Sequence, residues 1–246
     1  MDKKENFKPI RFLWQQIASP TITDILTENK TFDGVVLDIE HGVFNPETMC
    51  ACLTLGLSKG KDMFVRFPYL DKSMVRLALD TGATGVIFST VETEQQAEDI
   101  CTYCLYPSCG GKRGQGLVRE NMWGEYKLNQ REPIIVAQIE TKQGILMLEN
   151  IMNYSSFDYY LIGPYDLSSS IGCVGEFNNK KFKSLIRKFE EKVPARGRGY
   201  HIVKDIEKQY VNLSDCGFLA FSLDTLMLLE GTKNIEKIIH SGVKEK

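Results

Sequence analysis

Several polar side chains follow short apolar segments of the sequence, where they could act together on a small molecule. Glu140 and Asp166 are carboxylates of the kind that Mg²⁺ and Mn²⁺ prefer as ligands. His41 lies in the string LDIEHG and could act as a base or orient a metal-bound water. Arg66 closes an apolar segment, where its guanidinium could hold a substrate carboxylate by two hydrogen bonds.

Each of these residues also has a structural interpretation. Glu140 could cap the helix that follows it and Asp166 the turn that follows it, because acids favour helix N-termini. A single histidine such as His41 is often structural, and Arg66 could pair with an acid inside the protein. Residue type and spacing leave both interpretations open.

Three weaker motifs accompany them. Asp80 stands at a helix end, where the helix dipole disfavours negative charge, so we expect a cationic or hydrogen-bonding partner for it. The glycine-rich loop 110–116 could bind a phosphate or carboxylate through its amides, but it lacks the Lys-Ser/Thr ending of a P-loop. Cys101 and Cys104 have the spacing of half a zinc site, but no second cysteine pair follows, which favours buried thiols.

The elements that must position these groups alternate regularly between strand and helix. Helix-like stretches, several opened by a capping residue (Asn45, Asp71, Thr93), separate eight short segments rich in apolar and β-branched residues. The predicted strands are Phe12–Ile17, Gly34–Leu37, Met63–Phe67, Gly85–Ser89, Ile134–Ile139, Tyr159–Ile162, Gly199–Val203 and Phe218–Phe221.

Eight such alternations in 246 residues predict a single (β/α)8 TIM barrel over residues 1–246. A doubly wound open sheet is the alternative, but no glycine-rich dinucleotide turn follows an early strand. In a barrel of this type, active-site groups lie at the carboxyl ends of the strands. The polar residues that follow the second, third, fifth and sixth strands should therefore converge on one mouth.

Composition narrows the class of partner. Thirty basic residues against 32 acidic ones leave a formal charge of −2, which provides no general attraction for nucleic acid or an anionic bilayer. No stretch reaches the length of a bilayer-spanning helix, and the charged N-terminus does not have the pattern of a signal peptide. With seven cysteines, an odd number, we expect a reduced, cytoplasmic protein.

Uncommon strings in a fixed order resemble the HpcH/HpaI aldolase family, which includes aldolases of 2-keto-3-deoxy sugar acids and hydroxy-keto acids. The resemblance covers most of the chain. The strings are FDGVVLDIEHG (32–42), VRFPYLD (65–71), LALDTGATGVIFSTVET (77–93), YPSCGGKRGQG (106–116), AQIETKQGILMLENI (137–151) and FDYYLIGPYDLSSSIG (157–172).

The resemblance implies a (β/α)8 barrel of the phosphoenolpyruvate/pyruvate-binding type. It also implies a divalent-metal-dependent carbon–carbon lyase that acts on a small 2-oxo acid and an aldehyde through a pyruvate enolate, with Mg²⁺ or Mn²⁺, and Co²⁺ as a further candidate. Members of the family commonly exchange terminal helices between subunits and assemble as hexamers of paired subunits. The apolar start of the final helix, residues 223–229, is consistent with such a homo-oligomer.

The resemblance also implies roles for individual residues. Glu140 and Asp166 match the metal-binding acids of the family. Gln138 and the backbone of Tyr165 match substrate-binding positions. A small residue usually occupies the position of Tyr165, and Ser89 lies in a strand end that usually contains proline, so both differences bear on aldehyde specificity.

Three further residues match the catalytic positions of the family. His41 matches the catalytic base, Arg66 the arginine that stabilises the transition state, and Asp80 the acid that makes the histidine a stronger base. Two other functions stay open at this point. One is a lyase of CoA thioesters, like the related citrate lyases, although few cations surround the mouth. The other is a non-catalytic barrel that binds a small acid.

Overall fold

The computed structural model describes residues 8–125, 132–213 and 215–242. Eight parallel strands close into a barrel in chain order, with β8 pairing back to β1. The strands are β1 Ile10–Gln15, β2 Gly34–Asp38, β3 Asp62–Phe67, β4 Gly85–Phe88, β5 Ile134–Ile139, β6 Tyr159–Ile162, β7 Arg198–Ile202 and β8 Phe218–Phe221. The predicted (β/α)8 class is confirmed, and the predicted strands lie within two residues of the observed ends.

Helices cover the outside of this barrel. They are α1 Pro20–Thr27, α2 Pro46–Ser58, α3 Lys72–Thr81, α4 Glu94–Cys104, α5 Lys142–Asn153, α6 Pro164–Ser169, α7 Lys180–Lys192, α8 Ile206–Asn212 and α9 Asp224–Gly242. The predicted caps are observed: Asn45, Asp71 and Thr93 each accept backbone N–H groups at the start of α2, α3 and α4. Short 3-10 helices lie at Pro107–Cys109, Arg119–Gly124 and Ala195–Gly197.

The core has two parts, as expected for a barrel with an outer helical layer. Side chains that point outward from the strands pack under the helices, whereas a smaller cluster fills the barrel interior. The rings of Phe12, Phe64 and Phe218 meet there at centroid distances of 4.5–5.8 Å. Gly34 and Gly85 permit this packing, since a Cβ at either would come within 3 Å of a phenylalanine ring atom. This apolar plug leaves the polar strand ends to form the mouth.

Helix α9 differs from the other helices because most of it has no cover. Its first residue, Asp224, accepts the N–H groups of Gln16 and Ile17, both at 2.9 Å, which attaches the helix to the end of β1. From residue 228 to residue 241 every residue is exposed. The exposed apolar side chains in this stretch are Leu228, Leu229, Ile235, Ile238 and Ile239. Among the described residues, no helix is long and apolar enough to cross a membrane.

Candidate active site

Arg66 and Asp38 form the most buried ion pair of the described mouth residues. The two side chains project from the ends of the paired strands β3 and β2. Arg66 Nε and Nη2 donate to the two oxygens of Asp38 at 2.9 and 2.6 Å, while Nη1 lies 2.7 Å from Glu40 Oε2. Burial by itself would raise the pKa of Asp38, but the hydrogen bonds and charge of Arg66 outweigh it and hold the pKa below its usual value. Arg66 is thus held between two carboxylates.

Trp14 and His201 extend this network across the barrel. Trp14 Nε1 donates to Asp38 Oδ2 at 3.1 Å, and the guanidinium of Arg66 lies 5.1 Å from the indole ring centre. The imidazole of His201, on β7, stacks on the same indole with ring centres 4.4 Å apart. The side chains on β1, β2, β3 and β7 are thereby packed into one polar layer above the apolar plug.

Glu140 lies at the end of β5 in a different setting. Its Oε1 accepts the N–H and the hydroxyl of Thr90 at 2.8 and 2.7 Å, and its Oε2 accepts Gln138 Nε2. Burial raises the pKa of Glu140, and the negative charges of Asp166 and Glu40 raise it further against the opposing hydrogen bonds. No cation of the described chain pairs with it.

The alternative capping roles of the two acids are resolved by the helices themselves. Helix α5 begins at Lys142 and is capped by Thr141, whose hydroxyl accepts the N–H of Gly144 at 3.0 Å. Glu140 therefore does not cap that helix. Asp166 lies in the first turn of α6, behind the cap residue Gly163. Its position is favourable for the helix dipole and also next to the mouth.

A cavity of about 330 Å³ opens at this end of the barrel. Five of the predicted site residues line it: His41, Arg66, Gln138, Tyr165 and Asp166. Glu140 is hydrogen-bonded to one of these, Gln138. His41 is exposed, and its backbone N–H donates to Asp38 Oδ1 at 3.2 Å. Its ring makes no hydrogen bond with the described residues. It is therefore available to a molecule in the cavity.

Asp80 does not join this group within one chain. It lies near the C-terminal end of α3, and because that helix runs back from the end of β3, Asp80 is at the opposite end of the barrel from His41. Its partner is the buried Arg113, whose Nη2 lies 2.9 Å from Asp80 Oδ1 and 2.7 Å from Glu120 Oε2. Arg113 belongs to the glycine-rich loop, so this loop cation serves an internal ion pair.

The donor atoms near Glu140 fit a hard divalent cation. Glu140 and Asp166 supply carboxylate oxygens, and Gln138 Oε1 is buried without a hydrogen-bond partner in the described part of the chain. A bound cation would relieve the charge repulsion that raises the pKa of Glu140. The described ranges contain no group of three or more His, Cys, Asp or Glu side chains able to hold a metal. Substrate and water oxygens would therefore complete the coordination.

Comparison with known sequences identifies the family. The sequence profile described as HpcH/HpaI aldolase/citrate lyase matches residues 11–207. The chain belongs to this family. That result confirms the resemblance found in the sequence strings, and the matched range includes all of the mouth residues described above.

Curated relatives in this family are aldolases. A protein named hydroxypyruvate/pyruvate aldolase from Roseobacter denitrificans is 27% identical over 230 residues, which cover 90% of this chain and 89% of that protein. A protein named 4-hydroxy-2-oxovalerate aldolase from Novosphingobium aromaticivorans is 28% identical over 228 residues, with 89% and 85% covered. The family and these relatives are of the carbon–carbon lyase type.

Solved structures of the family share the fold. The crystal structure of a HpcH/HpaI aldolase/citrate lyase family protein from Burkholderia cenocepacia superposes with a TM-score of 0.85 at 22% identity, covering 95% of each chain. At that identity the likeness establishes the barrel and its topology alone.

Four contributors to the mouth escaped the sequence-based prediction. Thr90 binds Glu140 through a backbone in the left-handed region, with φ of 51°. Trp14 and Gln16 donate to Asp38 from β1 and its end, and His201 lines the cavity from β7. Trp14 and Gln16 lie in the first-strand string FLWQQI, residues 12–17, which carries no chemical motif that would have marked them. His201 lies within β7, where no neighbouring sequence motif marks it as a site residue, and its place at the mouth is evident only from the fold.

Proposed function

We propose that this protein is a divalent-metal-dependent aldolase that forms or cleaves a carbon–carbon bond in a hydroxy-2-oxo acid through a pyruvate enolate. The observation that carries the proposal is the cavity lined by His41, Arg66, Gln138 and Asp166, with the uncompensated Glu140 hydrogen-bonded to Gln138. A proton acceptor, a fixed guanidinium and one carboxylate line this small space, and the second carboxylate is hydrogen-bonded to a residue of the lining. These are the groups needed to make and hold an enolate.

Glu140 and Asp166 would hold the cation, Mg²⁺ or Mn²⁺, which when bound polarises the ketone of the 2-oxo acid and makes its methyl protons more acidic. Gln138 would orient the substrate beside them. Its Oε1 has no hydrogen-bond partner in the described chain, and its Nε2 is fixed by Glu140.

His41 would take a proton from the methyl carbon, directly or through a water. The electron pair left by that C–H bond forms the carbon–carbon double bond of the enolate, and negative charge develops on the ketone oxygen. Arg66 would donate hydrogen bonds to that oxygen, because Asp38 and Glu40 hold the guanidinium rigidly. The enolate carbon then attacks the aldehyde carbonyl, and the new alkoxide takes up a proton.

Exchange of the pyruvate methyl protons in D₂O tests this proposal without an aldehyde. We expect the methyl signal in proton NMR to disappear with Mn²⁺ present and to persist after chelation or in His41→Ala. Lys188→Ala is the control, since Lys188 is an exposed residue of α7 outside the lining of the cavity, and it should exchange like the wild type. Absence of exchange with any divalent metal would contradict the proposal and favour the CoA-thioester or non-catalytic alternatives.

Assembly from more than one copy is part of the same proposal. An apolar groove of about 470 Å³ lies between α1, α8 and the start of α9, with Ile25, Phe32 and Tyr210 among its lining residues. The exposed apolar side chains of α9 in a second copy are the occupant we propose for it. Exposed isoleucines and leucines at this density usually mark an interface. A monomer of 27.9 kDa in light scattering at micromolar concentration would contradict this.

The implied role of Asp80 then requires a subunit boundary, because Asp80 and His41 lie at opposite ends of one barrel. Co-expression of His41→Ala with Asp80→Asn, each inactive alone, should restore roughly a quarter of wild-type activity if paired subunits exchange these residues. The matched control is His41→Ala with Arg66→Lys, both within one chain's site, which should restore none. Equal failure of both mixtures would assign Asp80 to the Arg113 ion pair alone.

We also propose a cytoplasmic location and a 2-oxo acid and an aldehyde as partners, without nucleic acid or membrane. All seven cysteines are free, as expected in a reducing compartment.

A further inference from the structure

His201 holds a defined tautomer at the cavity. Its Nε2 lies 2.9 Å from the carbonyl oxygen of Ser222. A carbonyl oxygen can only accept, so Nε2 carries the hydrogen and Nδ1 keeps the lone pair. The carbonyl is itself fixed, because Ser222 adopts a left-handed backbone with φ of 52° and its N–H donates to Ile202 at 2.8 Å.

The ring is also fixed in orientation and kept uncharged. It stacks on Trp14 with an angle of 21° between the planes, and Trp14 is anchored to Asp38. Burial, together with the positive charge of Arg66, lowers the pKa of His201 to about 4 against the opposing effects of the hydrogen bond to Ser222 and the charge of Asp38. At neutral pH the imidazole is a hydrogen-bond acceptor at Nδ1 with no partner in the described chain.

His201 lies beyond the two acids that would hold the metal, on the next strand of the barrel wall. Glu140 ends β5 and Asp166 follows β6, whereas His201 lies on β7 and lines the cavity on the next part of the wall. A second cavity of about 560 Å³ shares His201, Tyr165 and Lys204 with the first. Space for the second substrate therefore lies on this side.

We propose that His201 is a specificity-determining residue whose Nδ1 accepts a hydrogen bond from a hydroxyl group of the aldehyde. The inference rests on the proposed aldolase function and names the class of aldehyde: hydroxylated aldehydes are preferred over apolar ones of equal size. An aldehyde with a methyl group at the same place would leave Nδ1 desolvated and unpaired. One lost hydrogen bond of this uncharged kind corresponds to about a tenfold change in rate.

Glycolaldehyde and propionaldehyde provide the test, since they have the same number of heavy atoms and differ by a hydroxyl in place of a methyl group. The measured quantity is the ratio of kcat/KM for the two aldehydes with pyruvate and Mn²⁺. Because both aldehydes react with the same enolate, this ratio cancels any general loss of activity in a variant.

Two substitutions separate recognition from structure. In His201→Gln the amide can reach the place of Nε2 and keep the bond to Ser222, but it leaves no acceptor at the place of Nδ1. In His201→Asn the shorter amide can place an oxygen near Nδ1 and loses the bond to Ser222. We expect the ratio to fall about tenfold in the Gln variant and to stay within about threefold of wild type in the Asn variant.

Other outcomes overturn the inference in distinguishable ways. An unchanged ratio in His201→Gln, or a loss confined to His201→Asn, would assign His201 a purely structural role. A wild-type enzyme that consumes both aldehydes without preference would remove the hydroxyl from recognition. A wild type that neither exchanges pyruvate protons nor consumes any aldehyde would instead contradict the aldolase proposal itself.

Discussion

On the β1–β3 side of the mouth, the buried carboxylate of Asp38 accepts hydrogen bonds from Arg66, Trp14 and Gln16 and its charge is compensated. On the β5–β6 side, the buried carboxylate of Glu140 accepts hydrogen bonds from Thr90 and Gln138, which are neutral. The pKa of the first is lowered and that of the second is raised.

The difference shows that hydrogen bonds alone do not determine whether the pKa of a buried carboxylate is lowered or raised. Both carboxylates are well supplied with donors, but only Asp38 has a countercharge in the chain. The charge of Asp38 is balanced within the folded chain, whereas the charge of Glu140 is repelled by neighbouring acids, and a bound cation would relieve that repulsion. Neutralising the buried acid should therefore lower the free energy of unfolding on the β1–β3 side and raise it on the β5–β6 side when no metal is bound.

The largest effect is expected when the compensated side is broken. Asp38→Asn leaves Arg66 buried at 7% side-chain exposure with only the partly exposed Glu40 as an anionic partner. Loss of one partner of a buried pair costs about 3–5 kcal/mol, which should appear in the free energy of unfolding in urea. Glu149→Gln, which removes an exposed pair with Lys192, is the control and should cost less than about 1 kcal/mol. Equal costs would mean that Glu40 alone compensates Arg66.

The second effect is stabilisation by metal on the other side. Mn²⁺ at a hundred times its dissociation constant should stabilise the wild type by about 2.7 kcal/mol. Asp166→Asn should abolish most of that gain, since it removes an anionic ligand without removing core volume. Thermal unfolding with and without Mn²⁺ measures both. If Mn²⁺ raised the Tm of the variant as much as that of the wild type, Asp166 would not be a metal ligand.

A smaller effect should come from Glu140→Gln in the absence of metal. The neutral amide removes the repulsion with Asp166 and Glu40 while keeping an oxygen for the N–H and hydroxyl of Thr90. We expect Tm to rise by about 2–4 °C, equivalent to roughly 1 kcal/mol in a chain of this size, and activity to be lost. A fall in Tm at neutral pH without metal would contradict the contrast between the two sides.

The smallest effect concerns pH and His201. Its folded pKa of about 4 lies below the unfolded value of 6.5, so the unfolded chain binds a proton first as the pH falls. The contribution of this group to the free energy of unfolding is therefore intact above pH 6.5 and decreases toward pH 4. The loss should be about 1 kcal/mol over the first pH unit. His201→Gln should show a shallower decline in urea unfolding between pH 6.5 and 5.5. Parallel curves would mean that the ring is protonated in the folded protein.

Much of the barrel was predictable because its signals are local. Alternation of apolar strands with capped helices, as at Asn45 and Thr93, depends on residues within a few positions of one another. Even so, α1 and the length of α9 were not predicted. The exposed apolar residues of α9 show why, since their packing depends on surfaces outside the helix itself.

The site was predictable only as far as residue type and strand position allow. His41, Arg66, Gln138 and Asp166 do meet at one cavity. The pairing of Arg66 with Asp38, and the stacking of His201 on Trp14, join residues 28 and 187 positions apart in the chain. No local pattern encodes such contacts, and the neutral state of His201 depends on burial that only the closed barrel creates.

Closure of the barrel also determines when β1 obtains its second neighbouring strand during synthesis. Strand β1 pairs on one side with β2, but its other edge waits for β8, with Ile10 opposite Phe218. At about 5–20 residues per second, a ribosome needs roughly 10–40 s to make the intervening chain. Throughout that interval the edge of β1 that will pair with β8 has no partner strand. We therefore expect a nascent chain of this protein to expose one unpaired edge of β1 until the last strand has been made.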